Sequence, residues 1–252
     1  MDSFSSHRIL VILPCHNEQG RIGNVLRSVR DVLPGAALLV IDDESSDDTD
    51  GEAARAGATV LPHAVNLGYG AALETGYLYA RAHDFAVVVQ MDGDGQHVAG
   101  ELPKLLQPIL DGSADVVMGS RYLTSARSLK TSWLKRAGQI LFSQIVRVLT
   151  ELRITDPTTG FQALGKRAIL LFASGVYPCD YPDADVVTMA NMAGLRIWEV
   201  PVAMAPREGG SSMHSGLRPL YYMMKMLLSI LVVVLNYPTW REWRRRFWAR
   251  TP

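Results

Sequence analysis

The hydrophobic and polar positions of the first half of the chain follow a regular series. Ile9 to Leu13 is a short apolar run behind Arg8, stopped by Pro14, and predicts a strand buried on both faces. Between residues 20 and 33, Ile22, Val25, Leu26, Val29 and Leu33 recur at helical spacing. Leu38-Leu39-Val40-Ile41 predicts a second strand, which ends in the acidic, serine-rich turn Asp42–Asp50. A short alanine-rich helix, a strand near Ala58–Leu61 and a helix over Gly70–Ala82 follow, the last with Leu73, Tyr77 and Ala80 on one side. Phe85 to Val89 is the strongest strand pattern and runs into Asp92-Gly93-Asp94-Gly95. A helix over 100–111 and a strand over Asp115–Met118 complete the series. Alternating strands and helices predict an α/β fold, a Rossmann-like, doubly wound and mostly parallel sheet flanked by helices.

The second half is less regular. Residues 131–149 predict a helix carrying Trp133, Leu134, Ile140, Leu141, Ile145, Val146 and Leu149. A loop at Thr155–Gly160, a short helix near 166–173, a helix over Asp185–Ala193 and a strand over Leu195–Met204 come next. Pro206 to Gly216 is polar and rich in glycine and serine, and the composition changes sharply beyond it. The expected division is therefore a main domain over 1–216 and an appendage over 217–252. In the appendage the run Leu217–Leu235 is apolar but contains Arg218 and Lys225. Its uncharged part, Met226–Trp240, has 15 residues and is interrupted by Pro238. A spanning helix needs about 20 apolar residues. The stretch Trp240–Arg250 then mixes aromatics with arginines, a pattern suited to anionic headgroups. This predicts an amphipathic, membrane-associated helix with a basic tail, peripheral or monotopic rather than spanning. The alternative is a core or dimer helix with a solvated tail, covered by a second copy or a small membrane subunit.

Composition narrows the classes. Across 252 residues, 48% are hydrophobic and 20% charged, with 25 Lys+Arg against 25 Asp+Glu. This is ordinary for a globular chain with a sizeable core and excludes disorder and collagen-like repeats. Net neutrality argues against nucleic acid as a partner. The zero conceals a split: residues 1–125 hold 8 basic and 17 acidic side chains, and residues 126–252 the reverse. The two ends are thus expected to meet different partners. Cys15 and Cys179 form no disulfide framework and have no metal-ligand spacing, which suggests a reducing, cytosolic setting. Met1 to Arg8 is polar, and no secretory leader is expected there.

Ligands of an open parallel sheet bind beyond the carboxyl ends of its strands, where both acidic turns fall. Two carboxylates at i and i+2, as in Asp92-Gly93-Asp94, suit a hard divalent cation that keeps its waters and shares substrate phosphates. The alternative is a solvated turn. Gln96 and His97 continue the loop, His97 as a hydrogen-bonding residue rather than a ligand.

Seven segments then occur in a telling order: Pro14-Cys15-His16-Asn17-Glu18; Asp42-Asp43-Glu44-Ser45-Ser46-Asp47; Asn66-Leu67-Gly68-Tyr69-Gly70; Asp92-Gly93-Asp94-Gly95-Gln96-His97; Gly119-Ser120-Arg121-Tyr122; Asp156-Pro157-Thr158-Thr159-Gly160-Phe161; and Arg207-Glu208-Gly209-Gly210-Ser211. Over roughly residues 8–235 the chain resembles the family-2 glycosyltransferases with a GT-A fold. Within them it looks like the branch that holds dolichyl-phosphate mannose synthase and bacterial polyprenyl-phosphate glycosyltransferases. The resemblance implies that Pro14, Glu18, Asp42, Asp43, Asn66, Gly68 and Asp92 line the donor nucleotide. It implies that Asp92, Asp94 and Gln96 hold Mg²⁺ or Mn²⁺ against the donor diphosphate. Arg121, Arg136 and Arg207 would contact phosphates, and Ser211 would order the acceptor loop; Arg136 sits in a context that matches the family only loosely. Asp94, Arg121 and Arg207 would be the catalytic set. Other roles stand beside these: Asp42 or Asp43 capping the helix near Thr49, Arg121 pairing with an acidic neighbour, Asn66 and Gly68 shaping a turn, Cys15 and His16 packing.

The implied reaction is inverting transfer of a sugar from a GDP-mannose- or UDP-glucose-type donor to a polyprenyl phosphate at the cytosolic membrane face. A lipid phosphate is already anionic near neutral pH and needs no strong base, only cations around it. A glycan hydroxyl as acceptor would need a base, for which Asp156, Asp183 and Asp185 are the late candidates. A subunit that binds sugar nucleotides without turnover is the remaining alternative.

Overall fold

The computed structural model describes residues 7–123, 133–178, 180, 182–206 and 218–248. The elements run β1 (Ile9–Cys15), α1 (Ile22–Val32), β2 (Ala37–Asp42), α2 (Thr49–Arg55), β3 (Thr59–Pro62), α3 (Tyr69–Ala82) and β4 (Val87–Gln90). After a short 3₁₀ turn come α4 (Leu102–Leu110), β5 (Val116–Ser120), α5 (Trp133–Thr150), β6 (Gln162–Gly165), α6 (Lys166–Phe172), α7 (Ala184–Met192), β7 (Ile197–Pro201), α8 (Arg218–Leu235) and α9 (Tyr237–Trp248). The strands form one seven-stranded sheet in the order β3-β2-β1-β4-β6-β5-β7. It is mostly parallel; only β6 runs against its neighbours β4 and β5.

The strand sequences are continuously apolar because both faces of the sheet are covered. Leu10, Ile12, Leu39, Ile41 and Val88 enter one core, with Leu73 and Tyr77 of α3, Phe142 and Val146 of α5 and Ile169 of α6. Ile9, Val11, Leu13, Val40 and Val89 enter the other, against Ile22, Val25, Leu26 and Val29 of α1 and Leu102, Leu105 and Leu106 of α4. The helical spacing read from residues 22–29 is therefore the buried face of α1.

Two features depart from the sequence reading, and both shape the site. First, β1 continues through Pro14 to Cys15. The pairing of β1 with β4 ends at Ile12, and Ile12 C=O faces β4 by accepting from Met91 N–H. Pro14, two residues on, faces the same way, so its missing N–H costs no ladder bond. Second, β6 lies between β4 and β5, although the sequence reading assigned no element between the Thr155–Gly160 loop and the helix near 166–173. Its four residues, Gln-Ala-Leu-Gly, carry no β-branched side chain, so no strand pattern marks them. Being antiparallel, β6 begins at the edge where β1, β2, β4 and β5 end. Residues 156–161 thus join the carboxyl-end loops.

The inner face of α8 belongs to the first core through Met226, Ile230 and Val233. Trp240 of α9 is buried there, and its indole N–H donates to Val233 C=O at 2.8 Å. The change of composition after residue 216 is thus carried by the outer surface of α8 and α9. Among the described residues no single helix is long and apolar enough to cross a membrane; α8 and α9 pass that test only as a pair bent by 54°.

Candidate active site

The first two carboxyl-end loops are stitched to each other. Asn17 N–H donates to Ser45 Oγ at 2.9 Å, and Asn17 Oδ1 accepts from Ser46 N–H at 2.8 Å. Glu18 N–H donates to Thr49 Oγ1 at 2.8 Å. The carboxylate of Glu52 accepts from Gly20 and Gly23 N–H at 2.5 and 2.9 Å, which satisfies the open start of α1 from a neighbouring helix. Pro14 is buried at the end of β1, and Glu18 pairs with Arg21 at 2.8 Å.

Asp43 organises the third segment. Its Oδ1 accepts from His63 Nδ1 and Leu67 N–H, and its Oδ2 from Gly68 N–H, each at 2.8 Å. Asn66 Nδ2 donates to Asp43 C=O at 3.1 Å. Gly68 has φ of 90°, a conformation glycine adopts freely, and precedes the first residue of α3. Asp42 Oδ1 instead accepts from Ser45 N–H at 3.3 Å. Neither aspartate caps α2, whose N-cap residue is Asp48.

The Asp92–Asp94 loop is held from beneath. Tyr69 O–H donates to Asp92 Oδ1 at 2.8 Å, Gln90 Nε2 donates to Tyr69 OH at 3.2 Å, and Tyr77 O–H donates to Gln90 Oε1 at 2.5 Å. His97 is buried, stacks on Phe161 at 4.7 Å and accepts from Asp92 N–H at Nδ1, 2.8 Å. Desolvation pushes its pKa down despite the nearby Asp92 and Asp94, so the ring is neutral and shapes the loop. Asp94 Oδ1 accepts from Gln96 N–H at 3.0 Å. A methyl group at Gly160 would stand 2.7 Å from Tyr69 OH and 3.2 Å from Asp92 Oδ1, so only glycine lets residues 156–161 close on the acidic loop. The loops converge around Cys15, whose thiol is pushed up by burial and then by Glu18, Asp42, Asp92 and Asp94.

On the other side stands Arg121. Its Nε and Nη2 donate to the two carboxylate oxygens of Asp156 at 2.6 and 2.7 Å, and its N–H adds a third bond at 3.2 Å. Asp156 is 0% exposed. Glu199 of β7 fixes the turn by accepting from Thr155 N–H at 2.9 Å and Asp156 N–H at 2.7 Å. The pairing of Arg121 with an acidic residue is thus present, yet the arginine side chain stays 27% exposed, and among the described residues its Nη1 has no partner. Nearby, desolvation and the charges of Asp185 and Asp156 push the Asp183 carboxyl up to about 7, against the hydrogen bond from Tyr222 and the charge of Arg121. Asp185 accepts from Ser229 Oγ of α8. Arg136 is exposed on α5, and none of the described contacts brings it to the other site residues. Arg207 and Ser211 lie outside the described residues.

Three contributors carried no assigned role in the sequence reading. Tyr69 lies inside a recognised segment, and its neighbours in sequence drew the attention. Gln90 is a polar residue at the end of an apolar strand, a readable signal for a buried hydrogen bond. Glu199 gives no signal, since a lone glutamate in a strand reads as solvated.

Asp92 and Asp94 offer partly exposed carboxylate oxygens in one loop, and no described group of three or more His, Cys, Asp or Glu residues forms a cage of its own. This donor set fits a divalent cation that keeps waters and shares phosphates, as Mg²⁺ does. Comparisons with known proteins agree with the architecture. The chain is 32% identical over 217 residues to an undecaprenyl-phosphate mannosyltransferase of Micrococcus luteus, covering 83% of this chain and 88% of that protein. It is 31% identical over 221 residues to the polyprenol monophosphomannose synthase of Mycolicibacterium smegmatis, covering 84% and 82%. The fold matches glucosyl-3-phosphoglycerate synthase of Mycobacterium tuberculosis, solved with Mn²⁺ and UDP-glucose, with a TM-score of 0.65 at 21% identity over 90% of this chain and 79% of that one. Residues 10–172, most of the GT-A-like sheet and all of the loops just described up to Phe161, match the model of glycosyl transferase family 2, and the chain belongs to that family.

Proposed function

We propose that this glycosyltransferase moves a sugar, with inversion, from a nucleotide diphosphate sugar of the GDP-mannose or UDP-glucose type to a polyprenyl phosphate. The reaction takes place at the cytoplasmic face of the membrane, and residues 217–252 serve as the interfacial segment of a catalytic domain over 1–216. The observation that carries this reading is the arrangement at Arg121. A guanidinium held by a buried carboxylate faces the same strand edge as the acidic loop, which gives an anionic acceptor a cation and an anionic donor a metal site.

In this reading Glu18, Asp42 and Asp43 border the donor nucleotide; Asp43 acts by fixing Asn66 and Gly68, to which it is bonded. Asp92 and Asp94, with Gln96 beside them, hold Mg²⁺ or Mn²⁺. The cation supplies Lewis-acid stabilisation to the departing diphosphate. Tyr69 orients the Asp92 carboxylate for that task. Arg121, with Arg207 and Ser211 from the later loop and Arg136 from α5, receives the acceptor phosphate. The phosphate oxygen attacks the anomeric carbon directly, so no protein base is required. The M. luteus and M. smegmatis relatives, named for polyprenyl-type phosphates, support this acceptor.

One observation favours a second reading. An Asp183 carboxyl at about 7 is poised for general-base work on a sugar hydroxyl. Asp183→Asn separates the two. With a lipid phosphate acceptor, kcat/KM is expected to stay within about threefold of wild type and to show no rise that depends on Asp183 as pH passes 7. With a hydroxyl acceptor, the variant would lose about 10²–10⁴-fold, and wild-type rates would climb as Asp183 deprotonates. Asp183 is also linked to stability. Its folded pKa lies above the ordinary carboxylate value, so its contribution is fully present at pH below that value and is lost as pH rises towards 7.

A further inference from the structure

The outer side of α8 and the whole of α9 take no part in the site described above. On α8, Tyr221, Met224, Leu228, Leu231 and Leu235 are all exposed, Leu235 by 70%. Their spacing of three and four residues places them in one stripe along the helix, opposite the buried Met226, Ile230 and Val233. Exposed Tyr237 continues the apolar surface across the bend into α9. There the chemistry changes. Tyr237, Arg241, Arg244 and Arg245 share a face of α9 and, with Met192 at the end of α7, line a cleft of about 330 Å³. Arg241, Arg244 and Arg245 are all exposed, and Glu242 is the acidic residue within α9. The stem of Arg244 packs on the backbone at Gly194, where an added methyl would stand 3.0 Å from its Cδ. The cleft is therefore anchored to the main fold.

We infer that this surface docks on an anionic bilayer, with the α8 stripe laid into the acyl boundary and the arginine cleft holding a lipid phosphodiester headgroup, distinct from the acceptor site. Charge complementarity selects this occupant. Three arginines gathered beside an apolar stripe match a layer in which phosphates sit directly above hydrocarbon. An apolar protein partner would not account for the arginines, and a soluble anion would not account for the stripe. A buried anchor for Trp240 ties α9 to α8, and Tyr237, which lines the cleft, follows Leu235 of the stripe by two residues, so stripe and cleft adjoin. The inference rests on the proposed membrane location but not on the acceptor.

Flotation of the full chain tests it, with neutral phosphatidylcholine vesicles and vesicles containing about a third phosphatidylglycerol. The chain is expected to float with the anionic vesicles and to lose binding as salt rises. Arg241→Gln combined with Arg245→Gln keeps the Arg244 packing. It is expected to weaken anionic binding about 25-fold, at about fivefold per arginine, with an unchanged melting temperature and unchanged transfer to acceptor presented in detergent. Leu228→Ser with Leu231→Ser is expected to weaken binding to both vesicle types. Equal flotation with neutral and anionic vesicles, or no effect of the arginine pair, would overturn the inference while leaving the membrane location standing. No flotation at all overturns both. A dimer in solution that does not float, or a melting shift with inorganic phosphate in the absence of vesicle binding, likewise overturns it. Activity in detergent reports separately on the acceptor.

Discussion

Replacing Asp94 with alanine is expected to lower turnover by about 10²–10³-fold and leave the melting temperature nearly unchanged. Asp94 is partly exposed in a loop at the end of β4, and its described hydrogen bond is to Gln96 N–H within the same loop. It is not one of the buried residues of the core. The Asp92 carboxylate, by contrast, accepts from Tyr69 O–H, so its loss would mix structure with chemistry. With Asp94 gone, one carboxylate remains where the proposed cation site has two. The loss should be partly recoverable at raised Mn²⁺, whereas a defect in folding would not respond to metal. Steady-state kcat across a Mn²⁺ titration, alongside a thermal melt, is the measurement. Wild-type turnover in the variant would remove the metal role from this loop.

Asp156→Ala is expected to produce the largest change in stability. A wholly buried carboxylate accepts two guanidinium bonds and a backbone N–H from Arg121. Removing one partner of a buried, hydrogen-bonded pair costs about 3–5 kcal/mol, because the other is left uncompensated. For a chain of this size that lowers Tm by roughly 10 °C. Asp156→Asn, which keeps the shape and part of the bonding, should cost less. Activity should fall with both variants, since Arg121 loses the contact that aims it. A shift in Tm below about 2 °C for the alanine variant would show that the pair contributes little.

How far the site was legible in the sequence follows from what kind of contact each residue makes. The apolar runs of β1, β2 and β4 were plain, because burial on both faces leaves no polar interruption. Their carboxyl ends were therefore known, and with them the loops that carry Asp42, Asp43, Asp92 and Asp94. β6 was not legible: four residues without β-branching carry no strand pattern, and the antiparallel insertion brings in the 156–161 turn from elsewhere in the chain. The partner of Arg121 was equally hidden. An arginine 35 residues from an aspartate gives no local signal, and only the antiparallel pairing of β5 with β6 places them in contact. Asp43 shows a third case. Its type and place were right for a binding loop, but its carboxylate is spent on the amides of Leu67 and Gly68, a choice that no spacing rule reveals.

The acceptor defines the proposed reaction. Purified full-length chain, Mn²⁺ or Mg²⁺ and a radiolabelled nucleotide sugar should be incubated with undecaprenyl phosphate in detergent, and the mixture extracted with chloroform. Label is expected in the organic phase, dependent on both the lipid phosphate and the divalent cation, with at least one GDP- or UDP-sugar as donor. Label that stays out of the organic phase with every such donor, and appears instead on a glycan hydroxyl acceptor, would contradict it.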